Sequence, residues 1–353
     1  MGGRQAAVNS GTPMTAQRAA SRVSWIIPGL AVLAAAAAAI GLTVGAFPVT
    51  LDGFFRALSN AWSGDLPQTA EQRVLFGIRG PRVLAGLIVG ASLAGAGVVY
   101  QGLFRNPLVS PDVLGVSAGA GLGAVIGIFL SLPVFAIQML AFGGGLATVG
   151  LVYLIAVAVR GRDPTLVLVL GGVVVGALAG AAISLLKILA DPYDQLPAIT
   201  FWLLGSLASV RGGDLWNVMP AVAIGLVPLV LLRWQINVLS LGDEEAKSLG
   251  VESGRLRVVV IAAATLITAS VVAISGVIGW VGLVIPHIAR MLVGPNFERL
   301  LPAAMLMGAS YLVLVDTLAR SLGRIEVPLG ILTAVVGAPF FLWLLWRGRH
   351  GWS

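Results

Sequence analysis

Four arginines and one charged decapeptide are where this chain could do chemistry. Arg79 and Arg82 flank Gly80-Pro81, while Arg320 and Arg324 bracket a second short stretch ahead of Glu326. A guanidinium presents a fixed fork of donors that matches a carboxylate in two-point contact. These four residues therefore suit an acidic protein partner, headgroup anchoring, or a local ion pair such as Arg324 with Glu326. Asp316, one helical turn before Arg320, is placed to hold that arginine. The segment Leu241-Gly242-Asp243-Glu244-Glu245-Ala246-Lys247-Ser248-Leu249-Gly250 reads as a short helix. Its acids come early and its lysine late, as the helix macrodipole favours, and Gly250 is a natural stop. Read alone, it is either an interfacial helix or a handle that something on the water side can grip.

Other chemistry is hard to build from these residues. A phosphate-binding loop needs a lysine after a glycine. The chain has two lysines, Lys187 after a leucine and Lys247 after an alanine, so ATP chemistry would have to come from another subunit. Cysteine is absent, which removes disulfides and thiolate metal sites. His287, with Arg290 one turn on, and His350 in a basic tail are the two histidines. A metal-ligating role for His287 is available, but a structural one is the plainer expectation, and His350 is expected to be solvated. No carboxylate pair, triad or metal cluster stands out, so neither an active site, a bound metal nor a cofactor is expected of this chain.

The elements that carry these residues are apolar spans. Of 353 residues, 58% are hydrophobic and 10% charged, against roughly 25% charged in soluble domains. A bilayer core needs on the order of 20 apolar residues per helix. Spans are predicted at 25–47, 83–104, 113–132, 134–159, 165–190, 214–232, 256–275, 279–293, 300–319 and 328–346, with a shorter, partly inserted helix near 198–208. The expectation is an all-α integral membrane protein with ten transmembrane helices. Continuous apolar runs exclude the alternating pattern of a β-barrel. The first apolar stretch is too long for the core of a signal peptide and is read as an uncleaved span. Lys187 and Asp316 lie near span ends, where ionisable groups are costly, and Lys187 can snorkel to the interface. In span five, Gly171, Gly172, Gly176 and Gly180 leave one stripe nearly bare. It either lines a path, for which Gly172, Gly176 and Gly180 are the candidates, or packs tightly on a neighbour.

The net charge of +7 comes from cations scattered at span ends, which indicates loop anchoring and not nucleic acid. Ten spans put both termini on one side. Counting loop cations places 14 of the 22 Lys and Arg on that side, so it is predicted to be cytoplasmic. Arg79, Arg82, Arg320 and Arg324 then fall outside, against the bias.

Several of these stretches, taken together in order, resemble one family. They are Arg79-Gly80-Pro81-Arg82, Gln101 through Leu108 with Pro111 and Leu114-Gly115, the Leu241–Gly250 loop, Gly282 through Arg290, Asp316 with Arg320, Glu326 through Gly330, and Gly337 through Phe340. They resemble the FecCD/BtuC permeases of bacterial importers for iron-siderophores, haem and cobalamin, over about 80–353. The resemblance implies a BtuC-like permease fold. It would comprise a tail at 1–24, a ten-helix domain at 25–346 with its coupling loop at 240–250, and a basic tail at 347–353, both tails cytoplasmic. It implies a homodimer in the inner membrane, two ATP-binding cassette subunits holding ATP and magnesium, and a periplasmic substrate-binding protein. The coupling contact would map onto Leu241, Gly242, Asp243, Glu244, Glu245, Ala246, Lys247, Leu249 and Gly250. The docking arginines would map onto Arg79, Arg82 and Arg320, with no such support for Arg324. The substrate would be an iron chelate, and the weakly polar stripe of span five leans towards haem. An ion-coupled secondary transporter is the competing reading, but such proteins keep ionisable groups at mid-membrane, which the predicted spans lack.

Overall fold

Secondary structure follows the apolar pattern closely, and the departures from it decide where the functional residues sit. The structure, a computed structural model, describes residues 13–45, 47, 53, 56, 59, 69–159, 164–323 and 325–347. For 13–24, 164, 345 and 347 it describes the backbone only. Most of the two expected tails, with His350 and Arg324, therefore lies outside the described residues.

Among the described residues thirteen helices run in order. They are α1 (Pro13–Thr43), α2 (Ala70–Leu103), α3 (Val116–Phe129), α4 (Val134–Ala158), α5 (Pro164–Leu189), α6 (Gln195–Leu204) and α7 (Gly212–Leu231). Then come α8 (Arg233–Leu239), α9 (Asp243–Ser248), α10 (Ser253–Ser275), α11 (Val281–Val293), α12 (Phe297–Ala319) and α13 (Leu329–Arg347). Each of the ten predicted spans coincides with one of these helices, and α6 is the short extra helix expected near 198–208. The protein is an all-α membrane protein.

Among the described residues seven helices are long and apolar enough to cross a bilayer. Others are short: α3 has 14 residues and α11 has 13. At 1.5 Å per residue these reach about 20 Å, less than the roughly 30 Å hydrocarbon core. Both are completed by non-helical chain, the 3-10 turn Pro111–Leu114 before α3 and the stretch 276–280 before α11. Irregular backbone at such depth survives only where protein or a wet cavity surrounds it.

The core is organised on α2 and α10, each with 78% of its apolar window buried, against 11% for α1. The hydrophobic effect does not distinguish one helix from another inside lipid, so close contact must come from small residues. α2 meets α12 through Gly90 and Gly308, each of which would drive a Cβ into the other's carbonyl. Some polar side chains inside the bundle pair across helices, as Tyr100 Oη with Thr265 Oγ1 at 3.0 Å.

The second span starts earlier than predicted. α2 begins at Ala70, capped by Thr69 in a reciprocal box with Gln72, and passes through a π turn at Leu75–Arg79. Arg79 and Arg82 thus lie within a helix that the apolar count began only at 83. A π turn adds one residue to the local repeat, which rotates the arginine side of α2 relative to the turns before it.

Candidate functional site

The charged decapeptide folds as the sequence suggests. α9 is preceded by Gly242 at φ 140°, a backbone value that side chains rarely adopt. At its other end Gly250 adopts φ 78°. Gly250 N donates to Lys247 O at 3.0 Å, and Val251 N reaches back to Ala246 O at 2.8 Å. This pair of bonds is the Schellman closure, which satisfies the last carbonyls of the helix. Ala246 is fully buried beneath, and Asp243 is tied to Arg257 of α10 at 3.0 Å. What remains outward is Glu244, Glu245, Lys247, Leu241 at 62% exposure and Leu249 at 52%. A helix that lies in a membrane interface carries Lys and Arg on its polar face, whereas α9 has three acids and one lysine. Each exposed leucine, if fully covered, would contribute about 1.5–3 kcal/mol. The acidic and apolar ridge favours a protein partner over a lipid surface.

At the opposite end of the bundle the structure brings Arg79, Arg82 and Arg320 together, but turns them inward. Arg79 donates to Leu42 O and Thr43 O at 3.0 Å each and to Phe47 O at 2.5 Å. It thereby caps the carbonyls that close α1, where a cation is favoured. Arg82 clasps Asp316 through Nε and one terminal nitrogen at 2.9–3.0 Å, and Glu326 at 2.8 and 2.9 Å. Arg320 donates to Gly41 O and, at 3.3 Å, to Thr317 Oγ1. The expected Asp316–Arg320 pair is present at 3.9 Å, and the structure adds a closer partner, since Asp316 meets Arg82 at 2.9 Å. Glu326 accepts from Arg82 across the bundle, whereas its expected pairing with Arg324 lies outside the described residues. Sequence spacing sees neighbours on one helix, and the Arg82–Asp316 contact spans 234 residues. The Arg82 and Arg320 side chains are each 8% exposed, while that of Glu326 is 44% exposed. In this conformation the cluster offers an outside partner a carboxylate, with its guanidiniums spent on their own subunit.

The glycine stripe divides. Gly172 is closed, because a Cβ there would enter the carbonyl of Val113 in the 3-10 turn. Gly176 would place one 3.9 Å from the Ala118 methyl, and Gly180 has nothing within 4 Å. Packing therefore accounts for Gly172, Gly176 has room for a methyl in contact with Ala118, and open space remains at Gly180. Lys187 lies half-buried in the last turn of α5, and His287 is partly buried in α11 beside Pro286. Among the described residues no group of His, Cys, Asp and Glu could hold a metal ion.

The residue missed from the sequence is Asp112. Pro111 of its turn would be touched by a Cβ on Gly282, which also approaches Leu93 O. The turn thus lies beside Leu93, ten residues or about 15 Å inside the end of α2. Asp112 is exposed on the subunit surface there and accepts from Ser117 Oγ. The span drawn from 113 stopped one residue short of it. The signal was Ser110-Pro111-Asp112, a helix-start triplet with Pro at the first helical position, broken three residues later by Gly115 at φ 77°.

The sequence matches the model of the FecCD transport family over residues 32–347. It is 40% identical over 326 residues to the molybdate import system permease protein MolB of Haemophilus influenzae, covering 92% of this chain and 96% of that one. It is 41% identical over 315 residues to the cobalamin import system permease protein BtuC of Halobacterium salinarum (87% and 84% covered). It is 38% identical over 307 residues to the hemin transport system permease protein HmuU of Yersinia pestis (84% and 89%). Among solved structures, an inward-facing metal-chelate type ABC transporter superposes with a TM-score of 0.83 at 40% identity, covering 92% of this chain and 99% of that one. A helical bundle built around α2 and α10, a stapled α9 and a paired arginine cluster thus belong to a chain that is a multi-pass ABC importer permease of the FecCD transport family.

Proposed function

We propose that this permease acts as a homodimer, docks two separate ATPase subunits through α9, and receives substrate from a binding protein at the arginine end. The observation that carries the proposal is α9 itself. It is held rigidly by Gly242, Gly250 and the Asp243–Arg257 pair, yet leaves Leu241, Leu249 and two glutamates uncovered. A rigid helix can transmit a push, whereas a loose loop would absorb it. α1 ends at the arginine end, where Arg79 takes its last carbonyls, and α13 begins there, three residues after Glu326, so the other end of each lies towards α9. With the cation count, this supports termini and α9 on the cytoplasmic side. Replacing Glu244 and Glu245 with Lys should weaken assembly with the ATPase, measured by co-purification and ATP turnover. Unchanged assembly and transport in that double variant would remove the coupling role.

We further propose an iron chelate as cargo, haem first, with ferric siderophores or cobalamin as the alternative. Support for haem is the weakly polar face that remains open at Gly180. The relatives' names range over molybdate, iron chelatin, cobalamin and hemin, so the family alone does not choose. Titrating the partner binding protein with haem, a ferric siderophore, cobalamin and molybdate decides it. Tight binding of molybdate alone would sink the chelate reading.

A further inference from the structure

A cavity of about 210 Å³ opens at the α9 end, between the end of α2, α8, α11 and the start of α12. Two cations of different elements line it, Arg105 just after α2 and Arg290 on α11, and no carboxylate does. Among the described residues neither arginine has an ion-pair partner. Of the nearby acids, Glu298 is engaged with Arg233 at 3.1 Å and Asp243 with Arg257, while Glu245 lies beside Gly242 near Arg105 without reaching ion-pair distance and does not line the cavity. Arg105 is exposed and holds φ 47°, an unusual value for a side-chain-bearing residue, and its terminal nitrogen lies beside Gly242, where α9 begins. Gln101 is 1% exposed in the wall, where its Nε2 donates to Leu283 O at 3.0 Å and its Oε1 has no partner. Arg290 Nε is likewise buried and unpaired. Buried unpaired polar atoms are rare in native proteins and mark a missing water, ion or ligand. Asn237, which also lines the cavity, is already committed to Phe297 N and Asn296. The start of the 23-residue α12 adds its positive helix end to the same wall.

We propose that this cavity binds a phosphate group bearing a neighbouring hydrogen-bond donor, with Arg290 and Arg105 taking the phosphate oxygens. Two unpartnered guanidiniums converging from separate elements suit an oxyanion. The apolar wall of Val98, Phe297 and Leu300 suits a group that arrives from lipid. The volume is below the roughly 300–1,000 Å³ of drug-sized sites, which fits a headgroup or free phosphate. Binding there would set the position of Arg105, and through it the root of α9.

The test uses delipidated, detergent-purified permease and follows its melting temperature. Dioctanoyl phosphatidylglycerol, dioctanoyl phosphatidylcholine, inorganic phosphate and glutamate are titrated at constant ionic strength. Phosphatidylglycerol should stabilise the protein, with a half-saturating concentration about tenfold or more higher in Arg290→Gln, as loss of a charged hydrogen bond implies. Arg290→Lys should retain part of the effect. A shift that inorganic phosphate reproduces in full assigns the site to free phosphate, and one that phosphate cannot reproduce assigns it to lipid. If Arg290→Gln fails to fold, Arg105→Gln at the exposed mouth gives the same comparison. No shift with phosphatidylglycerol or phosphate, an equal shift with phosphatidylcholine or glutamate, or an equal shift in the variants overturns the proposal.

Discussion

Replacing Arg82 with Met separates an arginine that holds the bundle together from one that waits for a partner. Arg82 makes five hydrogen bonds, three to Asp316 and two to Glu326. The Asp316 side chain is 3% exposed, and its other cation is Arg320 at 3.9 Å. Breaking a buried pair by removing one member costs about 3–5 kcal/mol, because the other charge stays buried. The Glu326 contact adds less than about 1 kcal/mol, since that carboxylate is half open to solvent. At about 2.1 cal/mol/K per residue over 353 residues, the buried part corresponds to a melting shift of roughly 4–7 °C. The Arg82→Met/Asp316→Leu double variant should recover part of that loss, because it removes the stranded charge together with its partner. Melting is read in detergent by tryptophan fluorescence and by size-exclusion recovery after heating. An Arg82→Met protein that melts with the wild type, yet loses affinity for the binding protein, would refute the structural role and restore docking as the function of this residue.

Other variants probe the remaining contacts. Gly172→Leu should lower melting temperature and assembly, because its side chain would enter the Val113 turn and overpacking costs about 1–3 kcal/mol. Gly180→Leu should leave stability intact, and a fall in transport there would place that face on the path, while normal transport would place it against lipid. Gly90→Val should prevent folding by prising α2 from α12, seen as aggregation on size exclusion. Gly250→Val forces a branched side chain into φ 78°, at about 1–2 kcal/mol, so ATPase co-purification should weaken while the melting temperature of the bundle holds. The purified chain alone should show no ATP turnover, and turnover that survives removal of contaminating ATPases would overturn the division of labour proposed above.

Much of this was legible in order along the chain. The spans were legible because burial in lipid demands apolar length, and apolar length is a local property. α9 was legible for a similar reason. Its caps, its charge order and its glycines lie within ten consecutive residues, and local hydrogen bonds set them. The arginine pairs Arg79/Arg82 and Arg320/Arg324 stood out because they oppose the loop-charge bias.

What only the tertiary structure decided are the contacts between residues far apart in sequence. Which carboxylate Arg82 clasps depends on how α2 crosses α12 and on where the chain after α12 returns, and neither carries a local signal. The π turn that rotates Arg79 towards the end of α1 is a one-residue irregularity, too small for hydrophobic periodicity to register. Gly172 and Gly180 are the same residue type on the same stripe. They differ because a 3-10 turn from another part of the chain packs against one and not the other. The depth of Asp112 and the convergence of Arg105 with Arg290 arise in the same way. Spacing along one chain determines what each helix is, and packing between helices determines which polar groups find each other inside a medium that offers them no water.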